Sequence, residues 1–231
     1  MKFEFETIGY IHSPFKEKFG IPRQSGLVAE ARSTLVFEPP YNRPEAVAGL
    51  EGYSHVWIQF VFHQAMRDEW QPTVRPPRLG GNERVGVFAS RSPFRPNAIG
   101  LSVAKLEGIG TGNGRVELSL QGLDMVDGTP VLDVKPYVAY SDSIPGARSG
   151  FASSAPEKRL EVHFSPRALE QIRQRPDSEN LQALITGVLE IDPRPAYRSG
   201  DESDRIYGIR LYDFDLRWRV TGERVEVIEL A

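Results

Sequence analysis

Two prolines within four residues stiffen the segment Arg91-Ser-Pro-Phe-Arg-Pro-Asn-Ala-Ile-Gly100 and hold Arg91, Arg95 and Asn97 on one loop. Proline fixes its own φ, so donors carried beside it lose little further entropy when they take a ligand. Two Arg and an Asn are an unusual load for an ordinary Pro-rich connection. In Leu123-Asp-Met-Val-Asp-Gly-Thr-Pro130, Asp124 and Asp127 offer acceptors to a ribose or an amine, although Asp127-Gly128 taken alone also reads as an Asx-type turn. The stretch from Phe15 to Leu27 sets Lys16, Lys18, Arg23 and Gln24 around Gly20, Pro22 and Gly26. Asp192-Pro-Arg-Pro-Ala-Tyr-Arg198 repeats the device of polar donors on proline-stiffened backbone.

Several other chemistries lack their residues. With no Cys, disulfides, thiolate catalysis, Cys-ligated zinc and iron–sulfur clusters are excluded. His12, His55, His63 and His163 follow no metal-binding spacing, and no G-x-S-x-G elbow is present. His55 and His63 would stand roughly 26 Å apart along a strand, too far to share an ion, and no metal is expected. His63 closes an apolar run ahead of Gln64 and stays open between a structural and a functional role. The run Gly108-Ile-Gly110-Thr-Gly112-Asn-Gly114 imitates a dinucleotide-binding loop. Such a loop must leave a strand and enter a helix. Here it joins two strand candidates, so it reads as a hairpin loop.

The elements that must position these residues are mostly strands. The chain has 231 residues, 40% of them hydrophobic, with 21 Gly and 18 Pro, which suits a β-rich architecture with many turns. Strands are predicted from Phe3 to Ile11, Thr34 to Glu38, Ser54 to His63, Arg84 to Ala89, Ile99 to Leu106, Arg115 to Leu120 and Val131 to Val138. In the third, Val56, Ile58, Phe60 and Phe62 share one face. A short helix fits Pro44 to Leu50. Seven or so strands with turn signals between them predict a closed or nearly closed barrel. Ser141 to Pro156 reads as a linker. Beyond it come a strand from Arg159 to Phe164, a helix opened by Ser165-Pro166, a helix capped by Ser178 and running to about Glu190, and strands from Arg205 to Asp213, Leu216 to Val220 and Arg224 to Leu230. The expected fold is mainly β: an N-terminal single-sheet antiparallel barrel over 1–140, a linker over 141–156, and a smaller C-terminal α+β domain over 157–231.

The net charge of −3 argues against a general nucleic-acid coat. Between Arg75 and Arg95, however, five Arg face one acid, Glu83. Such a patch suits a phosphate backbone, but on charge alone a solvated strip reads better. No run reaches the roughly 18 apolar residues of a membrane span. The N-terminal alternation reads as a strand rather than a signal peptide, so a cytoplasmic protein is expected.

Read together, these segments are specific. Gly9-Tyr-Ile-His-Ser-Pro-Phe-Lys-Glu-Lys-Phe19, Pro22-Arg-Gln-Ser-Gly-Leu27, Phe60-Val-Phe-His-Gln64, Arg75-Pro-Pro-Arg-Leu-Gly-Gly81, Arg91 to Gly100, Asp127-Gly-Thr-Pro-Val131 with Lys135-Pro-Tyr137, and Asp192 to Arg198 occur in the order found in the TrmO family, also called TsaA-like or YaeB-like, which the chain resembles over nearly its whole length. The resemblance implies an S-adenosylmethionine-dependent methyltransferase that acts on N6 of N6-threonylcarbamoyladenosine at tRNA position 37, beside the anticodon. It also implies a single-sheet barrel and a homodimer. Carried over position by position, the cofactor contacts would be Ser25, Gly26 and Leu27, His63 and Gln64, Arg91, Leu101, and Gly122, Leu123, Asp124 and Met125. Ser25 departs from the Pro common in relatives, a change that a backbone contact would tolerate.

The chemistry so implied asks for an acceptor near the N6–H, because that nitrogen's lone pair is delocalised into the ring. Asn97 and Asp127 are expected to be catalytic, with Asp124 a further candidate. Arg91 suits the cofactor's carboxylate. Arg75, Arg78, Arg95, Arg194 and Arg198 are expected to meet RNA phosphates or the threonyl carboxylate. The alternatives are a barrel that binds RNA or a small molecule without turnover, and a methyltransferase with another substrate.

Overall fold

A computed structural model describes residues 1–158, 160–194 and 205–231. In chain order its elements are β1 (Gly9–His12), β2 (Arg32–Phe37), α1 (Pro44–Val47), β3 (His55–Val61), β4 (Thr73–Val74), β5 (Val85–Gly86), β6 (Ile99–Gly112), β7 (Arg115–Gln121), β8 (Thr129–Pro136), α2 (Ala139–Asp142), β9 (Glu161–Phe164), α3 (Pro166–Arg173), α4 (Ser178–Glu190), β10 (Tyr207–Leu211), β11 (Phe214–Thr221) and β12 (Arg224–Leu230).

The period-2 alternation seen in the sequence closes into a barrel. The expected single-sheet antiparallel barrel forms with strand order β1-β2-β7-β6-β3-β8. Val56, Ile58 and Phe60 of β3 point inward, where they meet Ile11, Leu35, Leu118, Leu120 and Val131. Opposite them on β6 stand Ala104, Ser102 and Gly100, in register with Val56, Ile58 and Phe60 respectively. Small residues face large ones, which is how a narrow barrel fills its interior without overpacking. The smaller C-terminal α+β part is a sheet of order β10-β11-β12-β9, with β9 parallel to β12. Helices α3 and α4 contribute Ala168, Ile172, Leu184, Ile185 and Val188 to its core.

Several boundaries differ from expectation for local reasons. The first strand does not begin at Phe3: only Gly9–His12 pairs, and Phe3 and Phe5 are exposed. The last backbone bond on the β2 side is Glu38 N–H to the Ile8 carbonyl, and the prolines that follow, Pro39 and Pro40, have no N–H with which to extend the ladder. The strand expected over Arg84–Ala89 is reduced to β5 and a 3₁₀ turn over Val87–Ala89. Its partner β4 has two residues and lies between Pro72 and Pro76, which limits the pairing in the same way. The glycine run does belong to a hairpin, but β6 continues through Gly112 and the turn is Asn113-Gly114, both at positive φ. That pair is the strongest two-residue hairpin signal. Helix α4 is preceded by Asp177 rather than capped by Ser178, and Asp177 pairs with Arg32 at 2.6 Å.

Ser165 fastens α3 as the sequence predicts. Its Oγ accepts the Ala168 N–H at 3.0 Å and donates to the Ile228 carbonyl at 2.6 Å. One hydroxyl thus both caps the helix and ties it to β12. Ser165→Ala is expected to lower stability by about 1–2 kcal/mol, read as a shift in denaturant midpoint at constant m. A shift near zero would remove the hydroxyl from that role.

The C-terminal core also takes residues from early in the chain. Phe15, Val28 and Ala31 are buried among its side chains rather than in the barrel. The Tyr212 N–H donates to the Pro14 carbonyl at 2.8 Å and the Lys16 N–H to the Arg210 carbonyl at 3.2 Å. The stretch from Pro14 to Ala31 is therefore held from both sides.

Candidate functional site

A cavity of about 490 Å³ lies where five pieces of chain converge: the loop around Lys18–Gln24, the end of β3 with the turn His63–Ala65, the 91–97 loop, the start of β6, and the 124–129 segment. An irregularity in the β3–β8 pairing between Gln59 and Phe60 falls at this end of β3. Such bulges re-aim side chains beside functional sites. Phe60 and Phe62 meet edge to face, 4.9 Å between centroids, and both line the cavity.

Side-chain bonds tie the pieces together. Arg91 Nη1 donates to Gln24 Oε1 at 2.5 Å, joining the two proline-stiffened loops. Lys18 Nζ donates to the Gln64 carbonyl. The Gly26 N–H donates to the Gly122 carbonyl at 2.8 Å, and the Gly122 N–H to the Ala31 carbonyl at 2.9 Å. Gly122 sits at φ +79°, where a side chain would be strained, so the residue type is set by the turn.

Asp124 is the electrostatic focus. Burial pushes its carboxyl above the ordinary carboxylate range, against the opposing pull of the Ser102 hydroxyl, the Arg91 charge and the Ser25 backbone. Ser102 Oγ donates to Asp124 Oδ1 at 2.7 Å. A half-buried carboxylate and an arginine in the wall of one partly apolar cavity suit a ligand that carries both charges.

Residues 10–143 match the family model of the tRNA-methyltransferase O N-terminal domain, and residues 157–231 match that of the TrmO C-terminal domain. The chain belongs to the TrmO family. It is 50% identical to a tRNA (adenine(37)-N6)-methyltransferase of Escherichia coli over 99% of this chain and 97% of that protein. It is 48% identical to a putative S-adenosylmethionine-dependent methyltransferase of Pseudomonas aeruginosa, covering 100% of this chain and 99% of the relative. A crystal structure of TrmO from Pseudomonas aeruginosa superposes with a TM-score of 0.82 at 40% identity, over 100% of this chain and 99% of that one.

Of the cofactor positions implied by the TrmO resemblance, His63, Gln64, Arg91, Leu101, Asp124 and Met125 line the one cavity. Ser25, Gly26, Leu27, Gly122 and Leu123 do not line it; the Gly26 N–H bonds the Gly122 carbonyl, the Ser25 backbone reaches Asp124, and Leu123 is buried in the barrel core. Asn97 and Arg95 also line the cavity. Asp127 does not: its Oδ1 accepts the Ser13 N–H at 2.9 Å and its Oδ2 pairs with Lys16 at 2.7 Å. Arg75 and Arg78 are exposed outside the cavity, and Arg78 donates to Ser154. Arg194 is only 5% exposed, and Asp192 grips its guanidinium at 2.8 and 2.9 Å, which leaves it poorly placed for RNA. Arg198 lies outside the described residues.

Sequence reading missed Ser102, which sits in no motif. Its signal was the run of small residues at every second position, Gly100, Ser102 and Ala104, on the inward face of β6. Ile99 and Leu101, the apolar residues of that strand start, face outward and line the cavity instead.

Proposed function

We propose that this chain is an S-adenosylmethionine-dependent tRNA methyltransferase that methylates N6 of N6-threonylcarbamoyladenosine at position 37, next to the anticodon. The observation that carries the reading is that Asp124 and Arg91 line a single cavity together with the rings of Trp57, Phe60 and Phe62 and the side chain of Leu101. The cofactor has a carboxylate, an amine and a planar base. Arg91, Asp124 and the faces of Phe60, Phe62 and Leu101 answer those needs in turn.

When bound, the cofactor supplies a sulfonium methyl group for in-line displacement. Arg91 orients the donor through its carboxylate, and Asp124 through its amine, with Ser102 fixing the carboxyl rotamer. The side-chain oxygen of Asn97 accepts a hydrogen bond from the adenosine N6–H and localises the nitrogen lone pair, and the N6 proton, made strongly acidic once the methyl–nitrogen bond forms, leaves to solvent. The apolar walls limit water around the reacting atoms. Asp127 acts one step back by anchoring the 124–128 turn to Ser13 and Lys16. Arg75, Arg78 and Arg95 receive phosphates or the threonyl carboxylate. The target lies in a loop, so its base can be presented without opening a helix. The reading also carries a homodimeric assembly, a cytoplasmic location, and domains over 1–140 and 157–231 joined by 141–156, the second assisting tRNA binding.

The direct test supplies labelled donor to tRNA with and without the threonylcarbamoyl group. Transfer to position 37 of the modified tRNA is expected; saturable donor binding with no transfer to either would replace the reading with a binding module. In the same assay, Asn97→Ala should cut kcat about tenfold or more while donor KM stays near the parent value. Asp127→Ala should instead act through stability and donor KM. An Asn97→Ala enzyme with full kcat would take the amide out of catalysis.

A further inference from the structure

A second, shallower pocket of about 120 Å³ adjoins the cofactor cavity and shares Ala65 and Arg95 with it. Two aromatic rings, Trp70 and Phe94, line it. The Arg67 guanidinium lies over the Phe94 ring, 3.8 Å from its centroid. Trp70 lines the same pocket, and its ring stands 6.4 Å from that of Phe88 at an interplanar angle of 30°. None of the three is a core residue: Trp70 is 50% exposed, Phe88 75% and Phe94 38%. Clustered exposed rings of this kind mark a surface that something covers.

Charge narrows the occupant. Arg67 and Arg95 line the pocket beside Asp68 and Glu69, so its wall carries no net charge. The positive excess belongs to the surrounding stretch, where residues 67–95 hold six arginines against three acids in a chain of net charge −3. The patch therefore suits a partner that is anionic and also presents flat apolar faces. Single-stranded nucleic acid is both, and proteins that bind it combine aromatic platforms with arginine. The position fits as well. A base drawn into the cofactor cavity leaves its neighbour in the loop without a stacking partner, and Arg95 lies between the cavity and the rings.

We infer that Trp70, Phe94 and Arg67 form a stacking site for the unpaired nucleobase adjacent to the target adenosine. The site reads the presence of a base rather than its identity, because every base has a π-face. The inference rests on the reading of the main cavity as a tRNA methyl-transfer site.

The test uses the full chain and anticodon stem-loops with 2-aminopurine, or an abasic residue, beside the target. Wild-type protein should quench the 2-aminopurine on binding, and Trp70→Ala should not. Trp70→Ala and Phe94→Ala should each raise the RNA KM roughly tenfold, the lower part of the range for lost base stacking, with donor affinity unchanged. Trp70→Phe should recover most of that loss. The abasic neighbour should cost the wild type a similar factor and cost Trp70→Ala almost nothing more, since both remove the same contact. Independent, multiplying effects would overturn the inference, as would an unchanged RNA KM in both alanine variants. A change of oligomeric mass in Trp70→Ala, seen by sedimentation, would assign the rings to a contact between copies of the chain and also overturn it. Quenching by a wild-type protein that transfers no methyl would sink the methyltransferase reading and leave the stacking site standing.

Discussion

Asp124→Asn is expected to weaken donor binding roughly 10- to 100-fold, the scale of a lost charge-assisted hydrogen bond, while raising the melting temperature near neutral pH. The two effects share one cause. Burial disfavours the ionised carboxyl in the folded chain more than in the unfolded one, and its pKa rises accordingly. The folded state then binds this proton more tightly than the unfolded state does. The contribution of Asp124 to stability is in place below the ordinary carboxylate range and is withdrawn as pH rises through the raised folded value. At neutral pH the charge is thus a cost to the fold. Asparagine has nearly the same shape, can still accept from Ser102 Oγ, and carries no charge to desolvate. What it cannot do is hold a cationic amine. Donor affinity in the parent should follow the opposite slope, strengthening as pH rises through the same window. Calorimetric titration of the donor at several pH values, beside thermal melts of both proteins, reads both trends. An Asn variant that binds the donor normally, or melts lower than the parent at neutral pH, would contradict this account.

Gly100→Ala should destabilise the barrel by about 1–3 kcal/mol, which is several degrees of melting temperature for a chain of this size. A Cβ at Gly100 would lie 2.2 Å from the Phe60 ring, the residue directly across the β3–β6 pair. Phe60 is 4% exposed, so the ring has little space into which to retreat. It also lines the cofactor cavity, so a displaced ring should weaken donor binding together with stability. Phe60→Leu in the Gly100→Ala background should restore part of the melting temperature, since the clash is a property of the pair. A Gly100→Ala protein that melts within a degree of the parent would show that the ring is free to move.

The barrel was legible because its strands keep strict alternation. His55–Val61 announces its inward face through Val56, Ile58 and Phe60, and the C-terminal strands do the same. Ends were less legible, because they depend on partners rather than on local pattern. Phe3 and Phe5 alternate as a strand should, yet Pro39 and Pro40, just after the partner strand β2, stop the ladder at Ile8. The site divides similarly. Arg91, Arg95 and Asn97 were readable because proline marks a stiffened loop, and Asp124 because it sits in a turn-rich segment. Asp127 carried the same local marks, and only the tertiary contacts to Ser13 and Lys16 separate it from the cavity. Arg194 read as a free donor, yet its own motif supplies the acid that occupies it. The alternation of small residues marks Ser102 as inward-facing, but its role comes from the Asp124 carboxyl, 22 residues later in the chain, which no local pattern shows.

The placement of Phe15, Val28 and Ala31 in the C-terminal core makes the two cores share a strap. Between its anchored ends that strap carries Lys18, Arg23 and Gln24 into the cavity wall. Melting of the C-terminal sheet would therefore release one side of a pocket that belongs mainly to the barrel. The two cores are coupled through a stretch of chain with no regular secondary structure, so the fixed position of this wall depends on the C-terminal core as well as on the barrel.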